Sequence, residues 1–308
     1  MKTITYTNLS SHSVPAAAGY VRRMESVRRA LAEADHVLVG AGAGLSAAAG
    51  LKYDGEEFRI YFADFIERFG ITDLYTSSFY PYPSEEVRWA YWAKHVHMIR
   101  YAPPAMPLYR DLREALEGKD YFVITTNVDG QFRKAGFAAE RIFEVQGDYG
   151  LMQCSAACHP GLYSNESAVR RLLPAIHDCR VPAELVPRCP VCGGTMDIHV
   201  RSDASFVQDD DWYAMAGRYE DFVARCANSR MVLLELGVGF NTPTIIRYPF
   251  EQMTCRNRQA TLVRVNRDYP AALPENEART LSFGEPAERF MRDLCGKGAA
   301  ENENSCEP

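Results

Sequence analysis

The stretch RIFEVQGDYG, residues 141–150, carries a glutamine where an apolar run ends. Residues 141–145 have the pattern of a short strand, and Gln146-Gly147 turns the chain off it. An amide in such a place orients a ligand through hydrogen bonds, but it takes no proton at neutral pH. A second apolar run ends on ITTNVDG, so Asn127 and Asp129 stand two residues apart just past a strand. They either face a polar ligand together or build an Asx-type turn. A third, VLVGAGAGLSAAAG (37–50), passes through a Gly/Ala loop into a helix. Glycines let a backbone approach a pyrophosphate, and a helix N-terminus offers it unpaired N–H groups. Close strand–helix packing without a ligand is the plain alternative. The pattern is not G-x-G-x-x-G, because Leu45 holds the third position, nor a P-loop, because no Gly-Lys-Ser/Thr follows. Ser46, in the first helical turn, is a cap or a ligand contact. LGVGFNTP (236–243) and VRVNRD (263–268) also leave strands, the second on Asn266, which suits a ribose hydroxyl or a turn.

Four of the nine cysteines form two close pairs, Cys154/Cys158 and Cys189/Cys192, the second inside PVCGG. Such pairs with glycines beside a knuckle point to a closed structural zinc site rather than to disulfides. The alternative is chance clustering of core cysteines, and His159 and Cys179 are possible substitute ligands.

The elements that must position these residues alternate in type. Short apolar strands are expected at 36–41, 121–127, 141–145, 230–237 and 260–266. Helices are expected at 21–34, 58–70, 84–102, 108–118, 211–229 and 285–295. This alternation predicts an α/β fold, a Rossmann-like doubly wound parallel sheet. Residues 151–200 lose periodicity and gain Cys, Pro and Gly, so they form an inserted zinc-ribbon module. The nucleotide-binding domain is then discontinuous, 20–150 and 201–296, with a disordered tail at 297–308. In doubly wound sheets ligands gather at the carboxyl ends of the strands, where every motif but the cysteine cluster falls.

A net charge of −6 argues against a nucleic-acid binder with a broad basic surface. No run approaches the ~20 apolar residues of a membrane span, and the first residues lack the apolar core of a signal peptide. A cytoplasmic protein is expected.

In order and spacing, GAGLS with Gly50, TTNVD, QG, the four cysteines, GVGFNTP and VN together resemble the sirtuin family, over roughly 21–295. The resemblance implies a Rossmann-like NAD domain with a zinc module, and cofactor and substrate meeting between them. It implies that Ala43, Gly44 and Ser46 hold the phosphates. Gly237, Gly239, Asn266 and the Gly284-Glu285 turn would lie along the adenosine. Asn127 would hold the nicotinamide ribose and Asp129 the nicotinamide amide. Gly42, Gly50, Phe58, Arg59, Thr126 and Asn241 complete the implied cofactor set.

Three departures stand out. KYDGEE intervenes between Leu51 and Phe58-Arg59. RSDASFVQDDDW (201–212) replaces the family's Phe-Gly-Glu peptide-binding stretch, and its aspartates read as a solvated loop or a helix start. Gln146 occupies the place of the catalytic histidine. In deacylating sirtuins that histidine deprotonates the ribose after nicotinamide has left, and losing a general base costs about 10²–10⁴-fold. With an amide there, the implied chemistry stops at transfer of ADP-ribose to a nucleophile, with Asn127, Asp129 and Gln146 as the catalytic set. The combination is similar to the microbial class M sirtuins. That resemblance implies a lipoylated, glycine-cleavage-H-like carrier protein as target, a macrodomain hydrolase as functional partner and a role in oxidative stress. The alternatives are a deacylase in which His95, His97 or His159 replaces the base, and an inactive NAD- or ADP-ribose-sensing module.

Overall fold

The computed structural model describes residues 17–297. The expected disordered tail, 297–308, lies outside them apart from Lys297. Six strands form one parallel sheet: β1 (His36–Ala41), β2 (Tyr121–Thr125), β3 (Ile142–Glu144), β7 (Met231–Leu236), β8 (Thr261–Val265) and β9 (Thr280–Phe283), in the order β3-β2-β1-β7-β8-β9. Between β3 and β7 the chain makes a second sheet from β4 (Gly147–Cys154), β5 (Leu162–Ser164) and β6 (Met196–Val200), antiparallel in the order β5-β4-β6. The expected doubly wound sheet is therefore present. Val37, Leu38 and Val39 are wholly buried because helices cover both faces of β1.

The order fixes where a ligand can collect. From β1 the chain steps outward through β2 to β3. It later restarts on the other side of β1 with β7 and steps to β9, so a crevice opens between β1 and β7. All six strands are parallel, so the loops after them lie along one edge of the sheet.

A separate aromatic core, with Phe62, Phe65, Trp89 and Tyr91, seats the helices between Gly55 and Val96 against the second sheet and the cysteines. Each such fully buried ring contributes roughly 1.5–3 kcal/mol.

Several elements differ from expectation. The helix expected over 58–70 breaks at Phe62 into Gly55–Tyr61 and Ala63–Phe69, because the Phe62 ring turns into that core. The helix expected over 84–102 is α-helical over Glu85–Val96 and ends in a π-helical turn, His97–Tyr101. Aspartates 209–211 start a helix, Asp210–Cys226, with the Asp209 carboxylate accepting Trp212 N–H at 2.8 Å. The edge strand β9 was not expected: it is four residues long, and three of them are only partly buried.

Candidate active site

At the β1 end the backbone turns at Gly42 into a six-residue helix, Ala43–Ala48, and Gly50 ends the turn that follows. Gly42 N–H donates to Leu236 O and Gly44 N–H to Gly237 O, both at 3.0 Å, so the loops after β1 and β7 pack backbone on backbone. A Cβ on Gly237, whose φ is +62°, would lie 2.2 Å from Leu45 N. Packing alone therefore requires these glycines, and the same tight approach leaves the crevice floor bare of side chains.

The end of β2 is tied to this loop. Thr125 Oγ1 donates to Ala41 O and accepts Asn127 N–H, each at 3.0 Å, and Thr126 N–H donates to Ala41 O at 3.1 Å. Asn127 Nδ2 donates to Gly42 O at 3.0 Å and to the Tyr109 hydroxyl at 3.3 Å. Ser46 Oγ donates to Asp129 Oδ2 and shares a 3.0 Å hydrogen bond with Tyr109. Asp129 Oδ1 accepts Gln131 N–H at 2.9 Å, so the Asx-type turn and a shared polar site are both realised. Asn127, Asp129, Ser46 and Tyr109 are all buried, and burial pushes the Asp129 carboxyl above its ordinary pKa. Tyr109, the hub of this cluster, was missed in the sequence. It sits beside Leu108 and Leu112 on the helix Pro107–Ala115 and looks there like any core aromatic.

Gln146 follows β3, half-buried. Its carbonyl accepts Arg201 N–H at 3.0 Å, and its side-chain Oε1 is buried without a partner. Gly147, at φ +97°, has no room for a side chain: a Cβ would lie 2.1 Å from His199 O.

On the other flank, Asn266 Nδ2 donates to Val238 O at 2.7 Å and its Oδ1 accepts Asp268 and Tyr269 N–H, which is the turn reading. Gly239 faces open space and Asn241 is exposed. Glu285, next to Gly284, pairs with Arg23 at 2.7 Å. Phe58 and Arg59 are not part of the polar cluster. Phe58 stacks on Phe62 at 5.2 Å in the aromatic core, while exposed Arg59 bonds Gly55 O at 3.3 Å. The loops over β7 and β8 rest on a buried ionic network that the sequence reading passed over. Arg264 bonds Glu235 and Glu251 at 2.7 Å, and Arg247 reaches Glu235 at 3.2 Å. Its signal was one charge of each sign inside apolar strands, and Glu235 and Arg264 do face each other in register.

The four cysteine sulfurs lie within 4.8 Å of one another, and the Cys154–Cys192 and Cys158–Cys189 pairs are each 3.7 Å apart. Tetrahedral zinc with Zn–S bonds of about 2.3 Å has S···S edges of about 3.8 Å, so the set fits. Cys189 N–H donates to Gly194 O, and Gly193 N–H to Cys189 O, both at 2.8 Å, closing the expected knuckle. The backbone N–H of Cys192 directed at Cys189 favours its thiolate and lowers its pKa to about 6. Cys179 is not in the group. His159 is beside it, with Nδ1 3.1 Å from Cys158 Sγ and Nε2 2.7 Å from the Tyr163 hydroxyl. Four thiolates close the site, so its metal holds the module together. Elemental analysis should find a single zinc per chain. Cys189→Ser, which removes a buried ligand, should lower both zinc content and the unfolding midpoint; unchanged zinc in the variant would refute the assignment.

No family model matches the chain. It is 35% identical over 247 residues to a protein ADP-ribosyltransferase of Staphylococcus aureus (strain Mu50), covering 80% of this chain and 78% of that one. It is 36% identical over 272 residues to a probable bifunctional ADP-ribose hydrolase/ADP-ribosyltransferase of Fusarium oxysporum f. sp. cubense, covering 83% of this chain but 44% of that longer protein. The dog NAD-dependent protein deacylase sirtuin-5, mitochondrial, is 27% identical over 198 residues, 60% of this chain and 61% of that one. Among solved structures, Sir2Tm bound to a propionylated peptide superposes with a TM-score of 0.56 at 18% identity, covering 89% of this chain and 98% of that one. Sequence similarity on that scale, on a fold shared with the solved Sir2 proteins, leads to one assignment: the chain belongs to the sirtuin family, among its NAD-dependent protein ADP-ribosyltransferases.

Proposed function

We propose that the protein transfers a single ADP-ribose from NAD to a lipoylated carrier protein of the glycine-cleavage-H type. Bound NAD supplies the ADP-ribosyl group: its bond to nicotinamide is exchanged for one to the acceptor, whose proton passes to solvent. The chain's own residues prepare that exchange. Asn127 is oriented in advance by Gly42 and Tyr109, and Asp129 by Ser46 and the Gln131 N–H.

The observation that carries transfer over deacylation is Gln146, an amide just past β3, the strand paired with the β2 that carries Asn127 at its end. Two of the three histidines that could replace a base are otherwise engaged. His95 is fully buried, stacked 5.0 Å from Trp92 and bonded to the Tyr91 hydroxyl, and burial drops its pKa to about 3. His159 stands at the cysteines. His97 is half-buried at the start of the π-helical turn. The fungal relative's name joins a hydrolase to the transferase, which supports a macrodomain hydrolase as functional partner. No helix among the described residues is long and apolar enough to cross a membrane, in keeping with work on a carrier in the cytoplasm, where oxidative stress would be answered.

Labelled NAD offered with lipoylated carrier, unmodified carrier and an acyl-lysine peptide tests the reading. Label should appear on the lipoylated carrier only. Freed acyl product would establish the deacylase instead, and NAD binding without nicotinamide release would establish a sensor.

A further inference from the structure

Two cysteines of the zinc cluster are exposed, Cys158 and Cys192, and their sulfurs are not equally attended. Cys192 Sγ accepts a backbone N–H from Gly194 at 3.4 Å. Cys158 Sγ has the His159 imidazole against it, with Nδ1 at 3.1 Å, and the same nitrogen lies 3.9 Å from Cys189 Sγ. The far side of the ring is held as well, because Nε2 is 2.7 Å from the Tyr163 hydroxyl.

The local chain keeps this pair in place. Tyr163 is the middle residue of β5 and pairs with Met152 on β4, the strand whose last residue is Cys154. From His159 the chain returns to Tyr163 through Pro160, Gly161 and Leu162. A Cβ on Gly161 would lie 2.8 Å from His159 Cδ2 and Nε2 and 3.1 Å from the Tyr163 oxygen. The backbone therefore passes directly beside the imidazole–hydroxyl contact.

The zinc tetrahedron decides which way the protons point. Four thiolates fill its corners, which leaves the imidazole outside as a hydrogen-bonding neighbour rather than a ligand. A metal-bound thiolate has lone pairs only, so Nδ1 carries a proton and donates it to Cys158 Sγ. In that tautomer Nε2 is a bare lone pair, and the Tyr163 hydroxyl donates to it. The second bond secures the first, since it holds the tautomer and the ring plane that aim the Nδ1 proton at sulfur.

We propose that His159, held by Tyr163, is a positioning residue that ties down the exposed Cys158 thiolate, so that electrophiles open the zinc module at Cys192 instead. The reactivity of a thiolate lies in its unshared charge, and a ring N–H at 3.1 Å draws on that charge. The inference concerns the zinc module alone and holds whatever group the protein transfers.

Iodoacetamide tests it on the zinc-loaded protein, with the labelled cysteines identified by peptide mass. Attack forms a sulfur–carbon bond and releases iodide, and the alkylated sulfur is no longer a thiolate ligand. Cys192 should be labelled before Cys158. In His159→Phe, which keeps a ring and removes the N–H, Cys158 labelling should quicken roughly tenfold and overtake Cys192, with zinc release following it. His159→Asn returns an N–H near the place of Nδ1 and should restore the slow rate. Tyr163→Phe leaves the imidazole but frees it, and its rate should fall between the two. Both His159 variants should keep the zinc content of the unaltered protein and, after exchange for cobalt, its four-thiolate spectrum. A cobalt spectrum that changes in His159→Phe would make His159 a ligand and overturn the proposal. So would Cys158 labelled first in the unaltered protein, an unchanged rate in His159→Phe, or a chain that binds no zinc.

Discussion

Replacing Asn127 by alanine is expected to lower ADP-ribosyl transfer about 10²–10³-fold, the usual loss when one preorganised polar group is deleted from a reaction centre. Three features make Asn127 the most consequential position in the site. It follows β2 next to the crevice between β1 and β7, it is buried, and its amide is held by Gly42 O and the Tyr109 hydroxyl before any ligand arrives. That prior orientation is what lets a hydrogen bond act on the reaction rather than be consumed in ordering the side chain. Gln146→Ala should cost only about tenfold, because an amide that orients the ribose removes no proton and its loss is that of a neutral hydrogen bond. Rates measured on both variants with the same lipoylated carrier, alongside melting curves to show both folded, decide the matter. Equal losses would mean that Gln146 does more than orient. A mild loss in Asn127→Ala would remove it from the catalytic set.

How much of this could be seen in the residues alone depended on how local each signal was. The glycines after β1 and β7 and the paired cysteines were legible because their constraint lies within a few residues of chain. A tight turn needs its glycine in place, and a knuckle needs its cysteines close together. The parallel sheet was legible from buried apolar strands between amphipathic helices, but β9 was not, since an edge strand half open to solvent carries no apolar run. Tyr109, His199 and the Arg264 network were not legible because each acquires its meaning from a partner far along the chain. Tyr109 meets Ser46 across 63 residues, and His199 meets Gly147 only where β6 returns to β4. Phe58 entered the implied cofactor set through the family resemblance, and in the fold its ring stacks on Phe62, four residues along the chain.

Arg264→Met should destabilise the fold by about 3–5 kcal/mol, the cost of removing one partner from a buried ion pair. Arg264 is wholly buried in β8, bonded to both oxygens of Glu235 on β7 and to Glu251 at 2.7 Å, so methionine would leave Glu251 without its cation and Glu235 with Arg247 alone. Arg247 keeps its own contact with Glu235 at 3.2 Å, but its guanidinium is also tied to Val238 O and Tyr269 O and makes no bond to Glu251. Denaturant unfolding of Arg264→Met measures the loss, and a change below 1 kcal/mol would mean that the carboxylates find other partners or protons. Replacing Glu235 by glutamine in the same chain should return part of it, because coupled residues do not add. The damage should also reach the site. Arg264 holds Ala271 O, and Arg247 holds Val238 O and Tyr269 O at 3.4 and 2.9 Å, pinning the loops that carry Gly239 and Asn266. NAD affinity should therefore weaken in Arg264→Met even under conditions where the variant is fully folded. An affinity equal to that of the unaltered protein would show that the network stabilises the sheet without shaping the cofactor loops.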